Sequence, residues 1–345
     1  MAGARTPAAR PLVTVLGASG YIGSAVVALL RSRPVRLRTV SRRPCPVAGD
    51  GLAEPDVRTA DLTDPGAVAD AVAGSDAVIH LVTHRSATGD WRTRDGDPDG
   101  EHANVTVTLD LVESLRSGRT DGPPPAVIYA STVLPPGGPA PANAYERQKL
   151  ASERILRAAF AAGSLRGAVL RLPTVYGQGP VPGDLGRGVV AAMIRRGFAG
   201  EPLTMWHDGT IERDLLHVDD AARAFLSALD HADALAGRHW DVGCGLGHGL
   251  GEVFRTIAEI VGRHTGRPPV PVLRVDPPDG AIGLDFRSVR ADSSAFRSVT
   301  GWAPRAVLRD ALEQAVAAHA VSTAHVPTPT PTPHTGPSAK EGIHL

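Results

Sequence analysis

Lysine is nearly absent from this chain of 345 residues: of its 36 lysine and arginine residues, only Lys149 and Lys340 are lysine. A guanidinium is not deprotonated in proteins and presents a planar fork, whereas an ammonium is a compact point charge, so the two are not interchangeable at a tuned site. Lys340 lies in a segment rich in proline and threonine. Lys149 is therefore the one lysine of the expected folded part, which indicates that a compact cation is required there.

Other scarcities exclude whole classes of protein. The two cysteines, Cys45 and Cys244, have no metal-ligand spacing and are too few for a disulfide framework, so we expect no metal and a cytoplasmic location. The formal net charge is +0, which gives no basic field for nucleic acid. An uncharged run at 12–30 is interrupted by glycines and followed by no cleavage site, so we expect neither a signal peptide nor a membrane span.

Short apolar segments alternate with helical stretches in the first half of the chain. The predicted strands are 12–16, 35–41, 76–83, 126–130 and 167–172, and the predicted helices are 21–33, 64–73, 104–116 and 144–162. This alternation predicts an α/β fold with a doubly wound parallel sheet that is buried on both faces.

A glycine-rich turn joins the first predicted strand to the first helix. Glycines let a backbone approach a pyrophosphate closely, and a helix N-terminus offers unpaired N–H groups to an anion. The alternative is a tight turn that binds nothing. We predict dinucleotide binding, by Gly17, Ser19, Gly20, Tyr21, Ile22 and Gly23.

The end of the second strand indicates which dinucleotide is bound. NAD enzymes usually place an acidic residue there, but this chain has Ser41, Arg42 and Arg43, which could hold a 2′-phosphate. We therefore expect NADPH or NADP+ rather than NAD, the alternative being arginines that are merely solvated. Asp61 and Leu62, after a further strand, are expected beside the adenine.

The motif Tyr145-Glu-Arg-Gln-Lys149 places a phenol and an ammonium four residues apart, on one face of a helix. Lowering a phenol pKa from about 10 to about 7 takes roughly 4 kcal/mol of phenolate stabilisation, which a neighbouring cation helps to supply. The pair is therefore a candidate acid/base site. The alternative is an exposed lysine beside a half-buried tyrosine.

Taken together, these motifs resemble the extended short-chain dehydrogenase/reductase family, which includes NAD(P)-dependent epimerases, dehydratases and nucleotide-linked 4-keto-6-deoxyhexose 4-ketoreductases. The resemblance covers about residues 12–315 and includes Arg-Leu-Pro-Thr-Val-Tyr-Gly at 171–177, Arg-Asp-Leu-Leu-His-Val-Asp-Asp at 213–220 and Gly-Trp-Ala-Pro at 301–304. It implies a Rossmann-type fold with a smaller C-terminal substrate-binding lobe. The expected parts are a dinucleotide-binding domain (1–173 plus about 211–245), a substrate-binding lobe (174–210 plus 246–320) and a disordered tail (321–345).

The resemblance also implies roles for individual residues. Tyr145 looks like the catalytic acid/base, Lys149 like its partner and the ligand of the nicotinamide ribose, and Thr132 like the catalytic hydroxyl, with Ser131 as the alternative. Arg213 resembles an arginine that grips the nucleotide phosphates, unless it pairs with Asp214 or Asp219. Further cofactor contacts are expected from Leu81, Asn104 and Pro173, and further substrate contacts from His84, Arg85 and Arg287.

The residues after Thr132 narrow the reaction. Val133 and Leu134 replace the Asp-Glu pair of the related 4,6-dehydratases, and Val133 and Gln178 stand where epimerising reductases have Cys and His. We therefore expect an oxidoreductase that uses NADPH to reduce the C4 carbonyl of a nucleotide sugar, with TDP as the expected nucleotide. The family resemblance further implies a role in antibiotic or deoxysugar biosynthesis and a homodimer. The alternatives are a UDP-sugar 4-epimerase with retained NAD and a non-catalytic dinucleotide-sensing regulator.

Overall fold

The structure, a computed structural model, describes residues 10–46, 50–84, 98–118, 122–134, 143–277 and 286–324. The strands are β1 (Leu12–Leu16), β2 (Arg36–Ser41), β3 (Pro55–Thr59), β4 (Ala77–His80), β5 (Ala126–Thr132), β6 (Arg166–Leu172), β7 (Thr174–Tyr176), β8 (Leu203–Met205), β9 (Glu212–Arg213), β10 (Leu215–His217), β11 (His239–Asp241), β12 (His248–Gly249) and β13 (Val272–Arg274). The helices are α1 (Tyr21–Leu30), α2 (Ala67–Val72), α3 (Pro98–Glu101), α4 (Val107–Ser117), α5 (Ala144–Ala161), α6 (Val189–Phe198), α7 (Val218–Asp230), α8 (Leu250–Thr265), α9 (Ser294–Thr300) and α10 (Leu308–Ala324). A π-helical turn, His102–Thr106, precedes α4.

Seven of these strands form one sheet in the order β11-β6-β5-β4-β1-β2-β3, and all of its pairings are parallel. The chain builds outwards from β1 to β3 and then crosses to β4 on the other side of β1. The predicted doubly wound, Rossmann-type sheet is therefore confirmed. Its strand order reverses between β1 and β4, and the crevice at their carboxyl ends is where such sheets bind dinucleotides.

Buried apolar side chains cover both faces of the sheet. One core cluster joins the sheet to α1 and α7, and another joins it to α2, α4 and α5. A separate cluster links α6, α8 and α10, around residues such as Ile194, Phe254 and Leu312. The C-terminal segments thus have a core of their own beside the sheet.

Several predicted boundaries were wrong. α1 ends at Leu30 rather than near Arg33. The N–H groups of Ser32 and Arg33 donate to the carbonyls three residues before them, as in a turn and not as in an α-helix. The residue before a proline, here Arg33, also disfavours the helical conformation. The strand predicted at 76–83 ends at His80. α10 runs through Ala324, so the predicted tail at 321–345 begins inside a helix, and the rest of that tail lies outside the described residues.

Candidate active site

The glycine turn between β1 and α1 is packed too closely for side chains. Gly17 has φ +82°, and a Cβ there would lie 3.0 Å from the carbonyl carbon of Leu81. A Cβ on Gly23 would lie 2.1 Å from the carbonyl oxygen of Gly17. The first turn of α1 contains no acidic residue, and no side chain caps its N-terminus. The backbone N–H groups there suit the diphosphate of a dinucleotide.

The predicted nucleotide-selecting residues gather at the end of β2. The Ser41 hydroxyl accepts a hydrogen bond from the backbone N–H of Ser19 (3.2 Å) and donates one to the carbonyl of Arg43 (2.7 Å), so it connects β2 to the glycine turn. The side chains of Arg42 and Arg43 are exposed. Asp61 accepts two hydrogen bonds from Thr63, which lower its pKa, and the charge of Arg42 lowers that pKa further.

Three other predicted cofactor contacts each follow a strand of the sheet at its carboxyl end. Leu81 directly follows β4, and its N–H donates to the carbonyl of Leu16 on β1 (3.0 Å). Leu62 is buried against the sheet, and Pro173 is half-buried between β6 and β7.

Tyr145 and Lys149 lie on the first two turns of α5, where the Asn143 side chain caps the helix by accepting from the N–H of Glu146 (2.9 Å). Lys149 is only 1% exposed, so the alternative of a solvated lysine is wrong. Its ammonium nitrogen lies 5.8 Å from the centre of the Tyr145 ring. A buried cation beside a half-buried phenol is the arrangement that stabilises a phenolate.

Hydrogen-bond acceptors on two neighbouring segments hold the Lys149 ammonium. Its Nζ donates to the carbonyl of Ala130 on β5 (3.0 Å) and to Oγ1 of Thr83, beyond the end of β4 (3.1 Å). It also lies 4.8 Å from the centre of the buried Tyr129 ring.

The two candidate hydroxyls at the end of β5 differ, because successive side chains of a strand point to opposite faces. Ser131 is buried and donates to Oε1 of Glu153 (2.5 Å). The same carboxylate accepts from Nε (2.9 Å) and Nη2 (2.7 Å) of Arg171. Thr132 is half-buried, and its hydroxyl makes no hydrogen bond within the described part of the chain. The Ser131 hydroxyl is thus bonded to Glu153, whereas the Thr132 hydroxyl is available to a substrate.

Asn104 lies in the π-helical turn before α4 and is buried. Its Oδ1 accepts from the backbone N–H of His84 (2.8 Å), its Nδ2 donates to Oε1 of Gln148 (2.8 Å), and its carbonyl accepts from the Ser152 hydroxyl (2.5 Å). Isolated π-helical turns are frequent at functional sites. Asn104 therefore joins the segment after β4 to the helix that carries Tyr145 and Lys149, while Arg85 lies outside the described residues.

His80 is buried behind this site. Its Nε2 lies 3.1 Å from the Thr108 hydroxyl, and its ring lies 5.2 Å from that of Tyr129. Burial, and to a lesser degree the charge of Lys149, lowers the pKa of His80 to about 3. The imidazole is therefore neutral and adds no second positive charge beside the ammonium.

The two predicted phosphate-binding arginines are in contact, because the side chain of Arg213 reaches the backbone of Arg287. Arg213 donates from Nη1 to the carbonyl of Glu212 (3.0 Å) and to the carbonyl of Arg287. The Asp214 carboxylate instead accepts the backbone N–H groups of Cys244, Gly245 and Ala291. Among the described residues, Arg213 forms no ion pair with either Asp214 or Asp219, and Asp219 lies near His217 instead.

Comparison with known proteins agrees with this geometry. Residues 13–243 match the NAD dependent epimerase/dehydratase family. The chain belongs to this family. Among its relatives, it is 30% identical to a UDP-glucose 4-epimerase of Azospirillum brasilense (86% of this chain, 88% of the relative). It is 28% identical to the dTDP-6-deoxy-L-talose 4-dehydrogenase (NAD(P)(+)) of Kitasatospora kifunensis (88% and 93%). Among solved structures, MoeE5 in complex with UDP-glucuronic acid and NAD superposes with a TM-score of 0.72 at 28% identity (90% of this chain, 99% of MoeE5).

As a member of the epimerase/dehydratase family, the chain is an NAD(P)-dependent enzyme. Within the described residues, no helix combines the length and apolarity needed to cross a bilayer.

Two motifs that carried the family resemblance, 213–220 and 301–304, are joined by hydrogen bonds in this epimerase/dehydratase chain. The Asp220 carboxylate accepts the backbone N–H groups of Arg305 and Ala306, and its carbonyl accepts from Nε1 of Trp302 (3.1 Å). The 213–220 motif and the 301–304 motif therefore join each other, and fasten the C-terminal segment to α7.

Sequence reasoning missed three residues of the site: Thr83, Gln148 and Glu153. The signal for Glu153 was present, because Tyr145, Lys149 and Glu153 follow each other at four-residue spacing along one helix face. Thr83 opens the stretch Thr-His-Arg-Ser at 83–86, which is similar to a stretch of deoxysugar 4-ketoreductases, but its contact with Lys149 joins residues that are 66 positions apart and could not be read from the sequence.

Proposed function

We propose that the chain is an NADPH-dependent ketoreductase that reduces the C4 carbonyl of a nucleotide-linked 4-keto-6-deoxyhexose, with TDP as the nucleotide, in deoxysugar biosynthesis. The observation that carries this proposal is the buried Lys149 ammonium beside Tyr145, next to the available Thr132 hydroxyl. The relative from Kitasatospora kifunensis supports the position of the reaction, since a 4-dehydrogenase works at the same carbon of a dTDP-linked deoxysugar.

The residues of the site divide the chemistry among them. Thr132 donates a hydrogen bond to the carbonyl oxygen and holds it beside Tyr145. Tyr145 gives its proton to that oxygen as negative charge develops on it, and the Lys149 ammonium stabilises the phenolate that remains. When bound, NADPH supplies the hydride that reaches C4. Arg213, with the neighbouring Arg287, binds the diphosphate of the nucleotide sugar.

The preference for NADPH rests on the end of β2. Arg42 and Arg43 are exposed there, and the Ser41 hydroxyl holds their strand end against the glycine turn. Guanidinium groups bind a 2′-phosphate through charge-assisted hydrogen bonds, each of which contributes about 1.5 to 3 kcal/mol. MoeE5 was solved with NAD, so the support for NADPH in this chain comes from Ser41, Arg42 and Arg43 and not from that neighbour.

The experiment follows the absorbance of reduced nicotinamide while purified protein is incubated with TDP-4-keto-6-deoxyglucose, with and without a 3,5-epimerase. We expect NADPH to be consumed faster than NADH, and Arg42→Ala with Arg43→Ala to weaken NADPH selectively, whereas Arg116→Ala, an exposed arginine of α4, leaves the preference unchanged. Tyr145→Phe should lower turnover by about two to four orders of magnitude with NADPH binding intact. Its matched control, Tyr176→Phe, should not.

A second candidate is a UDP-sugar 4-epimerase, favoured by the relative from Azospirillum brasilense. Tyr145 would then remove and return the same proton, with no net consumption of cofactor. If the protein consumes no NADPH and interconverts two UDP-sugars, the epimerase replaces the ketoreductase.

A further inference from the structure

We propose that Thr83 is a positioning residue for the acid/base pair: its hydroxyl holds the Lys149 ammonium at the end of β4, so that the charge stays beside Tyr145. This inference rests on the acid/base role given to Tyr145 in the proposed function. It adds a residue that does not touch the reacting atoms and acts through Lys149 of the Tyr145–Lys149 motif.

The ammonium is held across two neighbouring strands. β4 and β5 pair in parallel, with His80 opposite Tyr129. Ala130, one residue beyond that pair on β5, offers its carbonyl at 3.0 Å, and Thr83, three residues beyond it on β4, offers its hydroxyl at 3.1 Å. A buried ammonium requires acceptors, because its desolvation is costly without them. These two contacts therefore direct the end of Lys149 towards the carboxyl ends of β4 and β5.

The Thr83 hydroxyl adds to what the backbone acceptor does. A lysine side chain has a flexible stem of four carbons and three rotatable donors, so the loss of one acceptor changes the direction in which the ammonium points. The Tyr129 ring lies closer to Nζ than the Tyr145 ring does, at 4.8 Å against 5.8 Å, and aromatic faces attract cations. Without the Thr83 hydroxyl, the ammonium would move towards Tyr129 and away from the acid/base phenol.

The titratable groups around Lys149 are each neutral or paired, so they do not obscure the titration of Tyr145. His80 of β4 is neutral, because burial lowers its pKa, and Glu153 of α5 is paired with Arg171. His84 follows Thr83 in the chain and contributes its backbone N–H to Asn104.

The tyrosines provide a reporter that needs no substrate. The chain has four tyrosines. Burial raises the pKa of Tyr21, Tyr129 and Tyr176. Tyr145 is therefore the tyrosine that should ionise first when the folded protein is titrated.

The experiment is an ultraviolet titration of phenolate in the full chain, as wild type, Thr83→Val, Thr83→Ser and Tyr145→Phe. Valine matches the shape of threonine without its hydroxyl, and serine keeps the hydroxyl. We expect the first phenolate transition to disappear in Tyr145→Phe, to move up by about 0.5 to 1 pH unit in Thr83→Val, and to stay within about 0.2 unit in Thr83→Ser. Circular dichroism establishes that each variant is folded, and Thr83→Ala replaces the valine variant if that one does not fold.

An unchanged or lowered midpoint in the folded hydroxyl-free variant, Thr83→Val or its replacement Thr83→Ala, would overturn the proposal, as would a first transition that survives Tyr145→Phe. Because the titration requires no sugar, failure of the ketoreductase assay with the expected shift present rejects the proposed substrate and leaves the role of Thr83 intact. An active ketoreductase whose phenolate midpoint does not respond to Thr83→Val rejects the role of Thr83 alone.

Discussion

The two adjacent hydroxyls at the end of β5 should respond to mutation in opposite ways. Ser131 donates to the buried carboxylate of Glu153, whereas the Thr132 hydroxyl makes no bond within the described residues. Removing the first should therefore cost stability, and removing the second should cost turnover. The variants are Ser131→Ala and Thr132→Val, each of which deletes one hydroxyl and changes little volume.

The stability effect follows from the environment of Glu153. Its side chain is 3% exposed, and the side chain of its partner Arg171 is 15% exposed. A hydrogen bond to a charged group contributes about 1.5 to 3 kcal/mol. Both carboxylate oxygens of Glu153 keep their bonds to Arg171 in Ser131→Ala, so we expect a loss of about 1.5 kcal/mol, at the lower end of that range. Glu153→Gln should cost more, up to about 3 kcal/mol, because it leaves the partly buried guanidinium of Arg171 without this charge partner.

The catalytic effect follows from the position of Thr132 beside the proposed oxyanion. Loss of one donor to a developing oxyanion lowers kcat by a factor of about 10² to 10³. Thr132→Val should show this loss with its free energy of unfolding within about 0.5 kcal/mol of wild type. Thr132→Ser keeps the donor and should recover most of the turnover.

Urea unfolding and steady-state kinetics on the same preparations separate the two effects. A double-mutant cycle of Ser131→Ala with Glu153→Gln should give a coupling free energy of about 0.5 to 3 kcal/mol. The reasoning is refuted if Ser131→Ala loses a hundredfold in turnover at full stability while Thr132→Val remains active, since Ser131 would then be the catalytic hydroxyl.

Two further predictions concern stability. Because the pKa of His80 is lowered to about 3 in the folded protein, the unfolded chain binds a proton below about pH 6.5 that the folded chain does not, so the free energy of unfolding should fall by roughly 4 kcal/mol between these pH values. His80→Gln should show a shallower fall when unfolding is measured by urea across this range, and an equal slope would contradict the assignment. Truncation after Ala324 should leave the melting temperature unchanged, whereas truncation after Ala320 should lower it. The shorter protein loses Ser322, which packs against Gly183 in the loop after β7. Equal melting temperatures for the two truncated proteins would show that this contact contributes nothing.

Much of the fold could be predicted because its signals are local. The glycine turn, the buried strands and the Tyr145–Lys149 spacing each occupy a few consecutive residues, and the structure places them at one crevice. β3, the further strand expected before Asp61, has the weakest local signal. It reads Pro-Asp-Val-Arg-Thr with no regular alternation of apolar residues, a pattern that suits an edge strand paired only with β2 and largely exposed.

The supporting contacts of the site could not be predicted in the same way. Ser131 and Glu153 are 22 positions apart, and Asn104 and Gln148 are 44 apart. Each pair is in contact because of where α5 packs along the sheet, and that position depends on the whole fold. The sequence could therefore propose both Ser131 and Thr132 as the hydroxyl, while the structure distinguishes them by what each side chain contacts.

The helix α5 links the chemistry to the stability of the sheet. Lys149 reaches the end of β5 through Ala130 and the segment after β4 through Thr83, and Glu153, one turn further, reaches β6 through Arg171. Three neighbouring strands thus fix one helix at two successive turns. Since Tyr145 lies one turn before Lys149 on the same face, its position is set by these contacts. A weaker Glu153–Arg171 pair should consequently disturb the acid/base pair as well as the fold, and the turnover lost in Glu153→Gln should exceed that lost in Ser131→Ala.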